Sequence, residues 1–493
     1  MLVQTASWAA CAPAVVDGGE VVDYGRLLGR AGAIAAALAG AGVGPGDRVG
    51  ICLRRDADAA AAWFGVLAAG AVAVVVNEAL RPRQVRYIVD HVDARVLLIS
   101  EDMLQRVAPL AVDTPLLSLG DVPAAAGWTP VRRVAGDVAQ IIFTSGSTGM
   151  PKGVTLSHGN LWAGARSVVE YLGITADDRI ASLLPFSFDY GLNQLLCSVA
   201  TGASLVIERS PVPQRVVRTL RDERITVLAA VPPLWLQLLG VDDFVSRPLP
   251  ALRTMTNTGG HLPKEAVRTL RRCHPDADLV LMYGLTEAFR SCYLAADRVD
   301  VKPGSIGRAI PGAEVLLLND QLERCAVGEI GQLVHRGPTV AMGYWNDPEA
   351  TRRRFRPHPL RPSGAPDAER VVFSGDFMYQ DADGDLYFVG RQDTMIKTLG
   401  YRVSPDEVVD VLYGSGEVLE AVVTAEPDPV RGSRIVAYVV LRPSGHLERL
   451  QAFAARELPR YMQPARFELR DALERTPSGK HDALATQGST NDS

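Results

Sequence analysis

A chain of 493 residues is too long for one ordinary domain and predicts two to four domains. Hydrophobic residues make up 47% of the sequence, which supports large buried cores, and the net charge of −5 argues against nucleic acid as the main partner. The six cysteines are scattered with no CxxC spacing, which is typical of reduced thiols rather than of a disulfide framework.

The first third of the chain alternates helical and strand patterns. A helix at 27–41 precedes a strand at 48–53, and a helix at 82–91 precedes a strand at 95–99. Residues 59–76 carry no charge and reach the length of a membrane span, but Gly65 and Gly70 divide them, so we predict a buried helix and then a buried strand at 71–76. No signal peptide is recognisable, and we expect a soluble, cytoplasmic protein without a membrane partner. The alternation predicts a largely parallel sheet covered by helices on both faces.

The segment from Thr144 to Gly153 combines three glycines, four hydroxyl side chains and one lysine after an apolar strand pattern at 138–143. Glycines let backbone N–H groups approach a ligand, while the hydroxyls and the lysine add donors and charge, which suits a bound polyphosphate. A flexible surface linker is the alternative, but linkers lack such a strand and lysine. Pro151 and Gly153 around Lys152 exclude a Walker A loop. We expect the ten residues to continue neither a helix nor a strand.

The alternation resumes beyond this segment, with helices at 161–172 and 192–199 and strands at 179–184 and 204–207. Between about 304 and 389 the pattern changes to short strands with many glycines and Asp-Gly turns, which predicts a β-rich subdomain. A small α+β unit follows, with helices at 407–412 and 447–457 and strands at 418–424 and 435–441. The residues at 481–493 are small and polar, and we expect them to be disordered.

Five motifs, in this order, resemble those of the ANL superfamily of adenylate-forming enzymes, which includes acyl- and aryl-CoA synthetases, luciferases and nonribosomal adenylation domains. They are the glycine-rich segment at 144–153, YGLTE at 283–287, FSGD at 373–376, GRQD at 390–393 and TPSGK at 476–480. Ser374 stands where the family usually has threonine. Five motifs in the family's order, over nearly the whole chain, make a chance match negligible.

The resemblance implies an α/β fold with a large N-terminal domain of parallel-type sheets layered with helices, a β-rich subdomain, and a small mobile α+β C-terminal domain. We expect an adenylation core at 1–390, a hinge at 391–396, a C-terminal lid at 397–480 and a tail at 481–493. It also implies attack of a carboxylate on the α-phosphorus of ATP with release of pyrophosphate. Because two anions meet, cations and backbone donors must offset their repulsion.

The resemblance assigns the catalytic roles to Lys480, Thr286 and Lys152. The predicted ATP contacts are Thr144, Ser145, Gly146, Ser147, Thr148, Gly149, Lys152, Gly259, Gly260, Tyr283, Gly284, Thr286, Asp376 and Arg391. Glu287 is the expected ligand of Mg²⁺, the implied cofactor. Lys480 is expected to act in adenylation only. The C-terminal domain then rotates about Asp393, and the loop with Lys397, Gly400 and Tyr401 replaces Lys480.

The acyl pocket is expected to open at Phe188 and Asp189. Amino-acid adenylation domains carry Phe-Asp there, and the aspartate binds the substrate ammonium, which would pair a costly buried carboxylate. The alternative is an aspartate that caps the helix at 192–199. The resemblance adds the pocket residues Tyr190, Asn193, Ala230, Thr256, Thr258, Met282, Arg290 and Ser291. Arg290 either binds a substrate carboxylate, pairs with Asp189, or points away from the ligand.

The expected function is therefore activation of an amino acid, with β-amino and dicarboxylic acids among the candidates. Because no carrier domain follows Lys480 in this sequence, we expect the pantetheine thiol to come from a discrete acyl or peptidyl carrier protein or from CoA. Arginines that face the tunnel are candidates for docking an acidic carrier, namely Arg431, Arg434, Arg456 and Arg460. Ordinary surface charge is the alternative, and it is the stronger one because exposed arginines are common in an arginine-rich chain. The alternatives are an AMP-forming acyl- or aryl-CoA synthetase and, less favoured by the intact motifs, an inactive binding protein of the same fold.

Overall fold

The computed structural model of the chain describes residues 1–101, 103, 114–122, 128–144, 151–362, 364, 369–391, 394–398, 401–428, 432–477 and 479–488, without the side chains of residues 121, 397, 401, 402, 432 and 484. In these ranges the helices are α1 (Leu2–Ala9), α2 (Tyr24–Gly40), α3 (Ala57–Ala68), α4 (Pro82–His91), α5 (His158–Leu172), α6 (Asp189–Thr201), α7 (Pro213–Asp222), α8 (Pro232–Leu239), α9 (Asp242–Ser246), α10 (Lys264–Cys273), α11 (Ala296–Val299), α12 (Pro348–Arg354), α13 (Pro405–Gly414), α14 (Leu447–Glu457) and α15 (Ala483–Gly488).

The strands of the same part of the chain are β1 (Pro13–Asp17), β2 (Glu20–Asp23), β3 (Arg48–Cys52), β4 (Val72–Val75), β5 (Val96–Ile99), β6 (Leu116–Ser118), β7 (Val138–Thr144), β8 (Lys152–Ser157), β9 (Arg179–Ser182), β10 (Ser204–Ile207), β11 (Val227–Ala230), β12 (Thr254–Asn257), β13 (Asp278–Tyr283), β14 (Cys292–Leu294), β15 (Arg308–Ala309), β16 (Glu314–Leu318), β17 (Gly331–Arg336), β18 (Gly343–Tyr344), β19 (Phe355–Pro357), β20 (Arg370–Gln380), β21 (Leu386–Arg391), β22 (Ile396–Thr398), β23 (Tyr401–Val403), β24 (Val418–Asp428), β25 (Gly432–Leu441) and β26 (Arg466–Leu469).

Two large mixed sheets form the N-terminal part of the molecule. As far as the chain is described, one runs in the order β15-β14-β13-β12-β11-β9-β10-β1-β2 and the other in the order β18-β8-β7-β4-β3-β5-β6. Parallel pairs make up the middle of both sheets, and antiparallel pairs lie toward their edges. The largest cluster of buried apolar side chains joins strands of both sheets to α2, α3, α5 and α6.

The uncharged stretch at 59–76 folds as predicted, into a buried helix followed by a buried strand. Asp56 caps α3 by accepting a hydrogen bond from the Ala59 N–H at 2.8 Å. Gly70, with φ of +76°, then turns the chain into β4. Among the described helices, none has the length and hydropathy that crossing a membrane requires.

The remaining sheets confirm the expected β-rich subdomain and the small C-terminal α+β unit. β16, β17, β19, β20 and β21 form an antiparallel sheet, and β24, β25 and β26 form a sheet that carries α13 and α14. Helices start earlier than predicted where a cap lies upstream. α5 begins at His158 because Ser157 and Asn160 form a reciprocal capping box, with hydrogen bonds of 3.1 and 2.9 Å.

Two local expectations differ from the structure. Thr144 ends β7, Lys152 and Gly153 open β8, and Thr144 pairs with Lys152 across this hairpin. The expectation that the glycine-rich segment continues no strand is therefore wrong at both of its ends. The segment at 481–493, which was expected to be disordered, contains α15.

Candidate active site

A cleft of about 460 Å³ opens where β7, β12 and β13 end and where the antiparallel sheet and the C-terminal unit approach them. Ligands of parallel α/β sheets bind outside the carboxyl ends of the strands, so the cleft lies where the topology favours a site. It is lined by twelve of the residues predicted from sequence, namely Thr144, Lys152, Asp189, Thr258, Gly259, Gly284, Thr286, Glu287, Arg290, Asp376, Arg391 and Lys480.

Lys480 enters this cleft from the C-terminal unit. A Cβ built on Gly259 would lie 3.0 Å from the Lys480 Cε, and the Lys480 ammonium lies 5.2 Å from the centre of the Phe188 ring. Gly259 has φ of +84°, a backbone conformation that favours glycine, and its lack of a side chain leaves room for Lys480. The Asn77 side-chain amide donates to the Pro477 carbonyl at 3.2 Å, which ties the lysine-bearing turn to the N-terminal part.

The charges around Lys480 are balanced. Burial lowers the pKa of the Lys480 ammonium, and the positive charges of Arg391 and Arg290 lower this pKa further. The carboxylates of Asp189 and Asp376 act in the opposite direction. The two carboxylates and the two guanidinium groups offset each other, so the charge of the Lys480 ammonium itself gives an incoming anion one net positive charge to meet.

A second contact holds the C-terminal unit against α10. His261 Nε2 lies 2.8 Å from Asp410 Oδ1, and Lys264 Nζ lies 3.3 Å from Asp410 Oδ2. Burial alone would lower the pKa of His261, but the hydrogen bond and charge of Asp410, helped by Asp406, outweigh burial and raise it. This ion pair stabilises the orientation in which Lys480 reaches the cleft.

The ribose end of the predicted site is built on Asp376. Tyr283 donates a hydrogen bond to the Asp376 carboxylate, and Arg391 Nε lies 3.6 Å from Asp376 Oδ1. Ser374 donates to the Leu333 carbonyl at 2.6 Å and accepts the Asp376 N–H at 3.0 Å. A threonine hydroxyl has the same hydrogen-bonding capacity, so the serine at this motif position leaves Asp376 held in place.

The phosphate end contains side chains that sequence reasoning missed. Tyr344 donates a hydrogen bond to the Glu287 carboxylate, and its ring lies 5.4 Å from the Lys152 ammonium. Arg354 Nε lies 3.8 Å from Glu287 Oε1, and a Cβ on Gly375 would lie 2.8 Å from Arg354 Nη1. Arg353 and Arg356 also line this end. The only sign of these arginines in the sequence was the run of three arginines at 352–354, but such a run is equally typical of a solvated helix end.

The acyl end of the cleft begins at α6. Asp189 is the first residue of this helix, which starts three residues earlier than predicted. Its side chain is buried, and Oδ1 accepts the Tyr190 N–H at 2.7 Å. Oδ2 accepts no hydrogen bond from a described residue, and it lies 3.8 Å from Arg290 Nη1. Asp189 thus makes one local backbone contact and keeps a carboxylate oxygen for a ligand.

Arg290 forms the other wall of the acyl end. A Cβ on Gly284 would lie 2.5 Å from the Phe289 carbonyl oxygen and 2.9 Å from the Arg290 Cα, so the loop after β13 closes tightly on this glycine. Phe289 has φ of +63°, an unfavourable conformation that the surrounding packing must maintain. With the backbone held in this way, the Arg290 Cζ lies 4.8 Å from the centre of the Tyr190 ring and 5.0 Å from the centre of the Phe289 ring.

Most of the other predicted pocket residues lie behind the wall of the cleft. Tyr190, Asn193, Ala230, Thr256, Met282 and Ser291 are all buried and do not border the cleft. The Tyr190 hydroxyl donates to the Thr256 carbonyl at 2.9 Å. Ser291 Oγ is 2.9 Å from His335 Nδ1, and burial lowers the pKa of His335 to about 4. Of these residues, Tyr190 contacts both charged groups of the acyl end, through its N–H to Asp189 and its ring against Arg290.

The AMP-binding enzyme family model matches residues 4–345, and the model of the AMP-binding enzyme C-terminal domain matches residues 407–480. The chain belongs to the AMP-binding enzyme family. It is an adenylate-forming enzyme of the ANL superfamily, as the five motifs predicted.

Among the curated relatives of this AMP-binding enzyme, Novobiocin biosynthesis protein H of Streptomyces niveus is 33% identical, over 95% of this chain and 79% of that protein. L-proline--[L-prolyl-carrier protein] ligase of Pseudomonas fluorescens is 29% identical, over 96% of this chain and 95% of the ligase. One of the linear gramicidin synthase proteins of Brevibacillus parabrevis is 32% identical over 96% of this chain, but the chain spans only 9% of the length of that synthase.

The solved structures include AMP-forming CoA ligases. A benzoate CoA ligase of Burkholderia xenovorans is 28% identical with a TM-score of 0.86, covering 98% of both chains. The o-succinylbenzoate coenzyme A synthetase of Bacillus subtilis, solved with ATP and magnesium ion, is 25% identical with a TM-score of 0.86, covering 99% of this chain. The fold class predicted from sequence is confirmed by this likeness.

The cleft of this AMP-binding enzyme suits a magnesium ion bound with ATP. Glu287 offers a carboxylate at the phosphate end, and hard divalent cations prefer such oxygens. The described residues contain one tight carboxylate cluster, of Asp381, Asp383 and Asp385. The Lys302 ammonium lies 2.6–2.7 Å from all three carboxylates, and Arg298 and Arg308 pair with Asp385 as well, so three protein cations already neutralise this cluster.

Part of the predicted site lies outside the described residues. This applies to Ser145, Gly146, Ser147, Thr148 and Gly149 of the phosphate loop, to Asp393 of the hinge, to Gly400, and to the side chains of Lys397 and Tyr401. Their roles stay predictions. Gly260 is described and packs against Pro232 rather than along the cleft.

Proposed function

We propose that this enzyme activates an amino acid with ATP and then transfers the aminoacyl group to the pantetheine thiol of a discrete carrier protein. The observation that carries the proposal is Asp189. Its buried carboxylate borders the cleft beside Lys480, and Oδ2 accepts no hydrogen bond from a described residue. An ammonium group is the partner that best offsets the cost of burying such a carboxylate.

In the first half-reaction, a carboxylate oxygen of the amino acid attacks the α-phosphorus of ATP while the bond to pyrophosphate breaks. Lys480 stabilises the charge that develops on the α-phosphate and carboxylate oxygens, and Thr286 contributes a hydroxyl donor. Lys152, with Arg353 and Arg354, neutralises the departing pyrophosphate. A bound Mg²⁺, held by Glu287, would neutralise phosphate oxygens. The Asp376 carboxylate accepts hydrogen bonds from the ribose hydroxyls, and Arg391 orients this carboxylate.

In the second half-reaction, the thiolate sulfur attacks the acyl carbon, and AMP leaves as the acyl–phosphate bond breaks. The thiol needs the space that Lys480 occupies, so the C-terminal unit must leave its position. That motion breaks the His261–Asp410 ion pair and the hydrogen bond between Asn77 and Pro477. Lys397, Gly400 and Tyr401 would then line the thiol path.

A carrier protein is the favoured acceptor because the chain resembles a prolyl-carrier protein ligase along almost the full length of both proteins. The arginine candidates for docking differ in availability. Arg456 and Arg460 are both exposed, but Arg456 pairs with Glu457 at 2.7 Å and Arg434 pairs with Glu426 at 2.6 Å, whereas no ion pair joins Arg460 to a described residue. Arg431 lies outside the described residues. Docking through Arg460 is therefore the simpler prediction.

The second candidate is an acyl- or aryl-CoA synthetase for an acid without an ammonium group. Two observations favour it: the similar CoA ligase structures, and the distance of 3.8 Å between Asp189 and Arg290, at which Arg290 partly neutralises the carboxylate. In that case Asp189 serves to hold Arg290 rather than a substrate group.

Pyrophosphate exchange across amino acids, β-amino acids, fatty acids and aryl acids separates the two candidates. We expect exchange with one class of amino acid and not with its deaminated counterpart. Exchange confined to acids without an amine would refute the role of Asp189. For the acceptor, thioester formation is then compared between CoA and carrier proteins bearing the phosphopantetheine arm. Faster turnover with CoA would refute the carrier protein as acceptor.

A further inference from the structure

Arg290 is buried in a way that leaves most of its hydrogen-bonding capacity unused. Its side chain is only 2% exposed. Nη1 donates to the Phe289 carbonyl at 2.9 Å, but Nε and Nη2 are enclosed and donate to no described residue. The nearest carboxylate oxygen, on Asp189, is 3.8 Å from Nη1, which is too long for a hydrogen bond. A guanidinium enclosed without acceptors is costly, so a ligand acceptor is expected at this point.

The position of Arg290 sets what a ligand meets at the acyl end. Of the nine predicted pocket residues, only Asp189, Thr258 and Arg290 border the cleft, and the others lie behind it. The guanidinium lies against the Tyr190 and Phe289 rings, so a charged group stands at this end of the cleft. The cleft therefore ends on one carboxylate and one guanidinium rather than on an apolar wall.

We propose that the Arg290 guanidinium turns its unpaired N–H groups toward the cleft and binds a second carboxylate of the substrate, so that the enzyme activates a small amino dicarboxylic acid. The substrate ammonium pairs with Asp189, the second carboxylate pairs with Arg290, and the reacting carboxylate points toward Lys480. The ammonium part of this inference rests on the proposed function, but the carboxylate part does not.

The planar guanidinium suits this role because two of its N–H groups can bind one carboxylate side by side. A monocarboxylic amino acid leaves both donors unused, and an apolar side chain also brings carbon against them. Pairing with Asp189 alone does not satisfy Nε and Nη2 either, since Asp189 approaches Nη1. A second substrate carboxylate uses both donors. The substrate then sets its ammonium against the Asp189 carboxylate and this second carboxylate against the Arg290 guanidinium.

The first test uses the unmodified enzyme and needs no variant. Pyrophosphate exchange is measured with pairs of acids that differ only in the second carboxylate, such as aspartate against 2-aminobutyrate and glutamate against norvaline. We expect the dicarboxylic member of the preferred pair to have a kcat/KM at least about 100-fold higher, because two charge-assisted hydrogen bonds are at stake. Equal values, or exchange with none of the dicarboxylic acids, would overturn the inference.

The second test changes the arginine. Arg290→Gln should remove most of that preference by lowering kcat/KM for the dicarboxylic acid, and Arg290→Lys should fall between, because it keeps the charge but not the paired donors. Arg352→Gln, at an exposed arginine that does not border the cleft, is the matched control and should leave the preference unchanged. Melting temperatures and circular dichroism establish that each variant is folded. Equal loss with both members of a pair would assign Arg290 to the reacting carboxylate and overturn the inference.

Failure of this inference is distinguishable from failure of the proposed function. If succinate or glutarate is activated as well as the amino dicarboxylic acid, and Arg290→Gln abolishes both, the ammonium role of Asp189 fails while the role of Arg290 stands. If monocarboxylic amino acids are the best substrates, the role of Arg290 fails while the proposed function stands.

Discussion

Replacing His335 with glutamine should make the protein less sensitive to acid. His335 is fully buried, its two ring nitrogens lie 2.9 Å from the hydroxyls of Ser291 and Thr339, and burial lowers its pKa to about 4. In the unfolded chain the pKa returns to about 6.5. The folded state binds its proton less readily, so the stabilisation is complete above pH 6.5 and is lost as the pH falls toward 4. At about 1.4 kcal/mol per pKa unit, the folded protein loses about 2 kcal/mol between pH 7 and pH 5 through this one group.

Urea-unfolding midpoints of the wild-type protein and of His335→Gln at pH 7 and pH 5 test this reasoning. Glutamine keeps a donor and an acceptor for the two hydroxyls but cannot be protonated in this range, so its midpoint should fall less on acidification. The difference between the two proteins cancels the other groups that titrate. An equal fall in both midpoints would show that His335 does not carry a depressed pKa, and a histidine NMR titration would then find its pKa near 6.5.

Three further predictions concern the cleft. Because burial lowers the pKa of Lys480, its ammonium is lost at a lower pH than that of an ordinary lysine, so kcat/KM for ATP in pyrophosphate exchange should fall as the pH is raised, before ordinary lysines deprotonate, and Lys480→Arg should remove that fall. Gly284→Ala should lower kcat/KM for the acid about 100-fold, since its Cβ would lie 2.5 Å from the Phe289 carbonyl and displace the loop that carries Arg290; unchanged kinetics would contradict that packing. Arg354→Met should raise the KM for ATP about tenfold or more, because it removes a positive charge beside Glu287; an unchanged KM would remove Arg354 from the phosphate site.

The sequence was sufficient to predict the large-scale fold and the groups that gather at the ATP end of the cleft. Strong periodicity gave close boundaries, as for α4, where the predicted 82–91 matches Pro82–His91. Glu287, Asp376 and Lys480 are far apart in the chain, and only their resemblance to family motifs predicted that they would meet. Spacing along the chain carries no information about such distant contacts.

Features that depend on side-chain direction could not be predicted. Three orientations of Arg290 stayed open in the sequence, because the turn at Gly284 and the positive φ of Phe289 that direct it have no clear local signal. Tyr344, on edge strand β18 of the second mixed sheet, and Arg354, at the end of α12, reach Glu287 only through tertiary packing. Several predicted pocket residues, such as Ser291, prove to support the wall instead of facing the cleft, since a motif gives position but not direction.

The most direct test of the account is a thermodynamic cycle between Asp189 and the substrate amine. Pyrophosphate exchange is measured for wild type and Asp189→Asn with the preferred amino acid and with its deaminated analogue. If the ammonium binds Asp189, the substitution should lower kcat/KM for the amino acid on the order of 100-fold more than for the analogue. An equal effect of the substitution on both acids would contradict the account.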